Sequence, residues 1–163
     1  MHRIKVLVDA DACPVKDIIV RAAKELGLEV VMFADTSHIL DDGYSRVVTV
    51  SQGRDAVDIA LINQTRQGDI VVTQDYGVAS MALGKQAYAI NHNGLIYDTS
   101  NIDRLLMERF LSQKIRRAGG RTPNHKKRSN RDNLKFERAF RKLCIDVLES
   151  ALQMNKGAGH TSN

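Results

Sequence analysis

The chain has 163 residues, of which 43% are apolar and 26% charged, enough for one globular domain with a small extension but not for two full domains. No stretch approaches the ~18 consecutive apolar residues of a membrane span, and the first residues lack a signal-peptide pattern, so we expect a cytoplasmic protein with no membrane partner. The two cysteines, Cys13 and Cys144, are expected to be free in that reducing compartment.

Short apolar runs alternate with stretches of helical periodicity along most of the chain. The apolar runs predict strands at 4–9, 29–34, 46–50, 69–73 and 86–90. Apolar residues at helical spacing predict helices at 15–26, 55–66, 77–83, 101–117 and 133–152. Strands and helices that alternate in this way predict an α/β fold, a three-layer α/β/α arrangement with a mostly parallel five-stranded sheet.

The pattern changes after residue 117, which predicts the domain organisation. We expect an α/β domain over 1–117 and a basic flexible loop over 118–132, where glycine, proline and basic residues replace the apolar pattern. A C-terminal helix over 133–152 is expected to pack on the same domain, and 153–163 to form a disordered tail.

Carboxylates follow two of the predicted strands. Asp9 and Asp11 come at the end of the first strand, and Asp75 follows the fourth, which is often the neighbour of the first in sheets of this kind. Asp55 and Asp58 are three residues apart at the start of the intervening helix and therefore share a helix face. Asp55 is also a typical helix-capping acid, whereas Asp58 is harder to explain as a cap. We therefore predict a site built on Asp9, Asp11, Asp58 and Asp75.

The chemistry of such a site follows from its ligands. Carboxylates without an accompanying set of His or Cys ligands suit Mg²⁺ or Mn²⁺ and not zinc. These cations activate water and neutralise charge on phosphoryl oxygens, so the expected chemistry is hydrolysis of phosphate esters.

Four motifs resemble the YaiI/YqxD family, a group of uncharacterised bacterial proteins, and the resemblance covers roughly residues 3–150. The motifs are Val-Asp-Ala-Asp-Ala-Cys-Pro-Val-Lys at 8–16, Gly-Arg-Asp-Ala-Val-Asp at 53–58, Gly-Asp-Ile-Val-Val-Thr-Gln-Asp-Tyr-Gly-Val-Ala at 68–79 and Asn-His-Asn-Gly-Leu-Ile-Tyr at 91–97. The family is similar to PIN-like nucleases, which gather acids at strand ends around Mg²⁺ or Mn²⁺. The resemblance implies that Asp9, Asp58 and Asp75 are catalytic metal ligands and that Asp11, an addition typical of the family pattern, assists them.

The net charge of +5 hides a strongly basic segment. Residues 114–142 contain 12 Lys and Arg but only two acids, whereas the rest of the chain carries an excess of acids. Clustered basic residues supply the electrostatic part of nucleic-acid affinity, although a solubilising segment would have the same composition. We expect a nucleic acid as partner, RNA more than DNA, and leave a homodimer open. The expected substrate-binding residues are Lys16, Arg54, Arg116, Arg117, Arg121, Lys126, Lys127 and Arg128.

Two residues and two further functions remain open at this level. His92 either contacts a phosphate or donates a proton, or it belongs to a polar hairpin turn marked by Asn93-Gly94. Cys13 is either an activated thiolate at a helix start or a small packed residue. Besides a ribonuclease, a nucleic-acid-binding module without catalysis fits the charge pattern. The Asp9-Ala10-Asp11 sequence after an apolar strand also resembles the opening of haloacid-dehalogenase phosphatases, in which the first acid is the nucleophile.

Overall fold

The computed structural model describes residues 2–36, 40–53, 55–123 and 126–159. Strands and helices alternate through most of this length, in the order that the sequence pattern predicts. The strands are β1 (Lys5–Asp9), β2 (Glu29–Asp35), β3 (Arg46–Val50), β4 (Ile70–Val72), β5 (Tyr88–Ile90) and β6 (Ile96–Tyr97). The helices are α1 (Lys16–Glu25), α2 (Ala56–Gln64), α3 (Tyr76–Gly84), α4 (Ile102–Arg117) and α5 (Asn130–Ala158).

The strands form one sheet in the order β3-β2-β1-β4-β5-β6. The pairs from β3 to β5 are parallel, and the order in which strands are added reverses between β1 and β4, which lie side by side. This arrangement places a topological switch point between β1 and β4, where ligands bind in open α/β sheets. The prediction that the first and fourth strands are neighbours is confirmed.

Helices cover both faces of the sheet. On one face, α1 and α5 pack on alternate strand residues such as Val6, Val8 and Met32. On the other face, α2, α3 and α4 pack on the intervening residues, including Leu7 and Phe33. Because the central strands are buried on both faces, they appear in the sequence as continuous apolar runs. The predicted three-layer α/β/α fold is confirmed.

The sheet contains one strand more than the five that the pattern predicts. β6 pairs with β5 in the antiparallel direction, with Ala89 opposite Tyr97 and Ile90 opposite Ile96. The turn at Asn93-Gly94 makes this reversal possible, and the amide N–H of Gly94 donates to the carbonyl of Asn91 at 3.2 Å. A strand of two residues is too short to produce a recognisable alternation.

The last helix is longer than predicted at both ends. Ser129 and Asp132 form a capping box, in which each side chain accepts a hydrogen bond from the other residue's backbone N–H, so the helix begins three residues earlier. At its other end the helix continues to Ala158, through residues that the pattern assigned to a disordered tail. Few apolar residues lie in this last part, and the search for an apolar face therefore missed it.

A buried ion pair lies at the start of β4. Asp69 is 0% exposed, and its carboxylate accepts from Lys5 Nζ at 2.7 Å and from His2 Nε2 at 2.8 Å. It also accepts from the backbone N–H groups of Lys5 and Arg66. These bonds join β1 to β4 at the edge of the sheet opposite the strand ends.

None of the helices within the described ranges is both long enough and apolar enough to cross a membrane.

Candidate functional site

Two of the predicted acids lie together because two strands end together. Asp9 is the last residue of β1, and Asp75 precedes α3, which begins four residues after β4. Val8 and Val72 are paired in the parallel register of these strands. Both acids therefore lie at the carboxyl edge of the sheet, the edge at which the parallel strands end.

The electrostatics of Asp9 show that four acids share this region. Burial raises the pKa of Asp9 from its usual 3.8 to about 6, with further increases from the negative charges of Asp58, Asp11 and Asp75. Like charges disfavour ionisation only when they are close. We call Asp9, Asp11, Asp58 and Asp75 the carboxylate cluster, since the structure brings together all four acids that the sequence predicts.

Asp58 joins the cluster from α2, the helix that packs against β1 and β2. It lies in the first turn and is half-buried, and burial raises its pKa, followed by the charges of Asp75 and Asp55. Asp55 occupies the position before the helix, with a left-handed φ of 63°, and makes no side-chain capping bond. Its position is that of a capping acid, but among the described residues its carboxylate does not cap the helix.

Asp75 is held in one orientation by its own helix. Its Oδ1 accepts from the backbone N–H of Val78 at 2.9 Å, and its own N–H donates to Thr73 Oγ1 at 3.0 Å. A Cβ atom on Gly77 would lie 3.0 Å from the same Oδ1, so a residue without a side chain is needed there. The carboxylate is therefore oriented before any ligand binds.

Asp11 lies in the loop after β1 and is tied to the neighbouring strand. Its Oδ2 accepts from the backbone N–H of Asp35, the last residue of β2, at 3.3 Å. The next residue, Ala12, has a left-handed φ of 55°, a conformation that costs free energy for any residue with a side chain. The loop is therefore strained where it enters the cluster.

The donor atoms of the cluster suit a hard divalent cation, since all are carboxylate oxygens. Within the described part of the chain, however, no three His, Cys, Asp or Glu side chains are arranged so that they could hold a metal ion together. Mg²⁺ usually takes one or two protein carboxylates and completes its shell with water and substrate phosphate, so the donor set fits without a closed site. The assignment of Asp9, Asp58 and Asp75 as ligands stays a prediction.

The predicted substrate-binding residues are distributed unevenly. Lys126 and Arg128 line a cavity at the carboxyl edge, and Lys16 is the half-buried first residue of α1. The others reach no site in this structure: Arg116 donates to Thr122 Oγ1 at 3.1 Å. Exposed positions are occupied by Arg117, Arg121 and Lys127. Arg54 lies outside the described residues.

The two residues left open by the sequence are both buried. Cys13 is 5% exposed, and burial raises the pKa of its thiol to about 11, which favours the packed residue over the activated thiolate. His92 is 6% exposed and lines the same cavity as Arg128. The sequence leaves the role of His92 open, because no local pattern indicates that a turn residue will be buried.

Comparison with known proteins gives a family. The sequence matches the family described as "Uncharacterized BCR, YaiI/YqxD family" over residues 7–146. A UPF0178 protein of Ruminiclostridium cellulolyticum is 63% identical over 137 residues, covering 84% of this chain and 90% of that protein. A UPF0178 protein of Clostridium acetobutylicum is 52% identical over 146 residues, covering 87% of this chain and 97% of that protein. No solved structure matches.

Proposed function

The chain belongs to the YaiI/YqxD family, and we propose that it is a hydrolase of phosphodiester bonds in RNA that depends on Mg²⁺ or Mn²⁺. The observation that carries this proposal is the placement of acids at the carboxyl edge of the sheet: Asp9 ends β1, Asp75 follows the paired strand β4, and Asp58 lies in the first turn of α2. Acids that destabilise one another in the free protein need a compensating cation, and sites of this kind are common where chemistry is performed.

The cluster by itself would repel a phosphate. At neutral pH, above the pKa of about 6, Asp9 is mostly ionised, so the region carries several negative charges. A bound divalent cation would reverse this, neutralise charge on phosphoryl oxygens and lower the pKa of water. Asp9 and Asp75 would hold the cation, since one ends β1 and the other has its carboxylate fixed by the N–H of Val78.

Asp58 and Asp11 would have supporting roles. Asp58 approaches from α2, on the face opposite to α1, and adds negative charge beside Asp75. Asp11 holds the loop after β1 to the end of β2 through the N–H of Asp35. Both would strengthen cation binding by charge, and Asp11 would also keep the loop in place.

The basic segment would contact the strand backbone. If all six Lys and Arg residues from Arg116 to Arg128, both included, touched phosphates of a single RNA strand, the affinity for that strand would fall roughly 300-fold between 50 and 200 mM salt. Titration of a catalytically silent variant with fluorescent RNA at several salt concentrations measures this slope. A flat response would remove the segment from the binding surface.

The test of the activity compares Asp9→Asn with Asp103→Asn, the same chemical change on an exposed residue in the first turn of α4. Mn²⁺ affinity is measured by calorimetry, and cleavage is followed on single-stranded RNA and on DNA of the same sequence. We expect Mn²⁺-dependent cleavage of RNA by the wild type and by Asp103→Asn. Asp9→Asn should lose cleavage and weaken Mn²⁺ binding by more than the roughly 10–100-fold typical of outer-shell changes.

Other outcomes would replace the proposal. Binding of RNA with no metal-dependent turnover of either strand would identify a nucleic-acid-binding module. A labelled phosphate trapped on Asp9 would identify a phosphatase of the haloacid-dehalogenase type. Unchanged Mn²⁺ affinity in Asp9→Asn would remove the carboxylate cluster as the metal site.

A further inference from the structure

A cavity of about 460 Å³ lies beside the carboxylate cluster at the carboxyl edge of the sheet. Its wall comes from the loop after β1, from Gln74 after β4 and from His92 after β5. The basic segment closes it with Lys126 and Arg128, and Asp132 of α5 also lines it. The volume lies within the range of about 300–1,000 Å³ that is usual for pockets binding small molecules. We call it the histidine pocket.

His92 forms part of the pocket wall and carries a buried nitrogen without a hydrogen-bond partner among the described residues. The residue is 6% exposed, and no described residue lies within hydrogen-bond distance of its Nε2. Its backbone is fixed, because its N–H donates to Gln74 Oε1 at 3.0 Å and its carbonyl accepts from Arg128 Nη2 at 2.6 Å. A buried polar atom without a hydrogen-bond partner is rare in folded proteins.

α5 packs closely on the turn that follows His92. Gly94, in the same turn, has φ of 86°, and a Cβ there would lie 3.1 Å from Ala139 Cβ and from the carbonyl of Lys135. Burial, followed by the charge of Arg128, lowers the pKa of His92 to about 4, so the ring is neutral at pH 7 and carries one N–H.

The charges around the pocket favour an anion. The guanidinium of Arg128 donates to neutral acceptors: Asn133 Oδ1 at 2.7 Å, Asn93 Oδ1 at 2.9 Å and the carbonyl of His92. Lys126 adds a second cation on an exposed side chain. Among the described residues of the wall, Asp132 is the one acid; its carboxylate accepts from the N–H and Oγ of Ser129, which lowers its pKa and keeps it charged, so the two cations outnumber one anion.

We propose that the histidine pocket binds a nucleotide, with its phosphate held by the cations of the wall, Lys126 and Arg128. The proposal rests on the proposed function, which it deepens by adding a binding site for a nucleotide unit of the strand next to the reacting phosphodiester. The pocket is positive and the adjacent cluster negative, so the two would hold different phosphates of one strand, the first directly and the second through a cation. The nucleoside part would occupy the remaining volume, beside Gln74.

To test this proposal, the full chain is titrated without divalent cations, in separate experiments, with adenosine 5′-monophosphate, inorganic phosphate and adenosine. We expect the monophosphate to bind more tightly than inorganic phosphate, and adenosine to show no saturable binding. The imidazole ¹⁵N resonance of His92 should shift on addition of the monophosphate. Binding of inorganic phosphate alone would overturn the nucleotide assignment, and a His92 resonance that does not move at saturation would place the monophosphate outside the histidine pocket and overturn the proposal.

Two neighbouring lysines provide a matched pair of variants. Lys126→Gln removes a charge from the pocket wall, whereas Lys127→Gln removes the same charge from the next residue, which does not line the pocket. Both side chains are exposed, so both variants should fold. We expect Lys126→Gln to weaken monophosphate binding roughly three- to tenfold and Lys127→Gln to leave it nearly unchanged. Equal effects would overturn the proposal, since only the general charge would then matter.

The same titration with Asp9→Asn separates this proposal from the activity. Monophosphate binding should persist or become tighter in this variant, because a negative charge near the pocket is removed, even if cleavage is lost. Loss of monophosphate binding in Asp9→Asn would overturn an independent phosphate pocket. If binding persists but the wild type cleaves no strand, the pocket stands and the proposed activity fails.

Discussion

Replacing Asp9 with asparagine should stabilise the protein in the absence of metal at neutral pH. The carboxylate of Asp9 is disfavoured by burial and by the charges of Asp58, Asp11 and Asp75. Asparagine has nearly the same shape but carries no charge. A variant that loses its site residue and becomes more stable is the expected signature of acids kept together for binding.

The size of this stabilisation follows from the pKa of Asp9, which folding raises from 3.8 to about 6. Each unit corresponds to about 1.4 kcal/mol, so full ionisation costs the folded state up to about 3 kcal/mol. Because the side chain is only half-buried and solvent screens part of the effect, we expect about 1.5–3 kcal/mol. For a chain of this size, that is a rise in Tm of roughly 3–12 °C.

The pH dependence has a definite sign. Between pH 3.8 and about 6 the folded protein binds more protons at Asp9 than the unfolded chain does, so stability falls as the pH rises. The loss of stability caused by ionisation of Asp9 is absent below pH 3.8 and complete above about pH 7. The stability difference between Asp9→Asn and the wild type should therefore be small at pH 4 and largest at pH 7–8.

Urea unfolding at pH 4 to 8 in the presence of EDTA measures this difference, with Asp103→Asn as the control for a surface charge. Addition of Mn²⁺ at 100 times the wild-type Kd should then stabilise the wild type by about 2.7 kcal/mol and stabilise Asp9→Asn much less. A difference that is the same at every pH, or an Asp9→Asn variant less stable than the wild type at pH 8, would refute the argument.

Three further predictions concern other residues. Gly77→Ala should weaken Mn²⁺ binding roughly tenfold, because the added Cβ would lie 3.0 Å from Asp75 Oδ1. Its Tm should not fall, because alanine favours the helix. Calorimetry measures the Mn²⁺ affinity and thermal unfolding the Tm, and an unchanged Mn²⁺ affinity would contradict the prediction. Asp69→Asn should destabilise the protein by about 3–5 kcal/mol, because it leaves the charge of Lys5 buried without its carboxylate; urea unfolding measures the loss, and a change below about 1 kcal/mol would show that the pair is dispensable. Cys13, with its pKa raised from 9.0 to about 11, should react with a thiol reagent at pH 8 at least about 100-fold more slowly in the folded protein than in urea; peptide mapping locates the label, and equal rates would mean that the thiol is accessible.

The sequence alone was sufficient for the local features of the fold and of the candidate site. The apolar run that ends at Asp9, the helix that begins after Asp75 and the helix face that carries Asp58 all follow from periodicity and from capping preferences within a few residues. Such signals are local, because a buried strand or an amphipathic helix must place apolar side chains at fixed spacings. For the same reason β6 and both ends of α5 were missed or misplaced, since they are short or lack an apolar pattern.

The tertiary structure decided which of these features meet. β1 lies beside β4 only because the chain crosses over the sheet, and this contact brings together acids that are far apart in the sequence. The pKa of Asp9 depends on burial, which no local pattern reports. α5 packs on the turn that follows His92, and Arg128 reaches the carbonyl of His92 from 36 positions away. Periodicity shows which face of an element is apolar, but the neighbours of that face are set by long-range packing, and the chemistry of both sites depends on those neighbours.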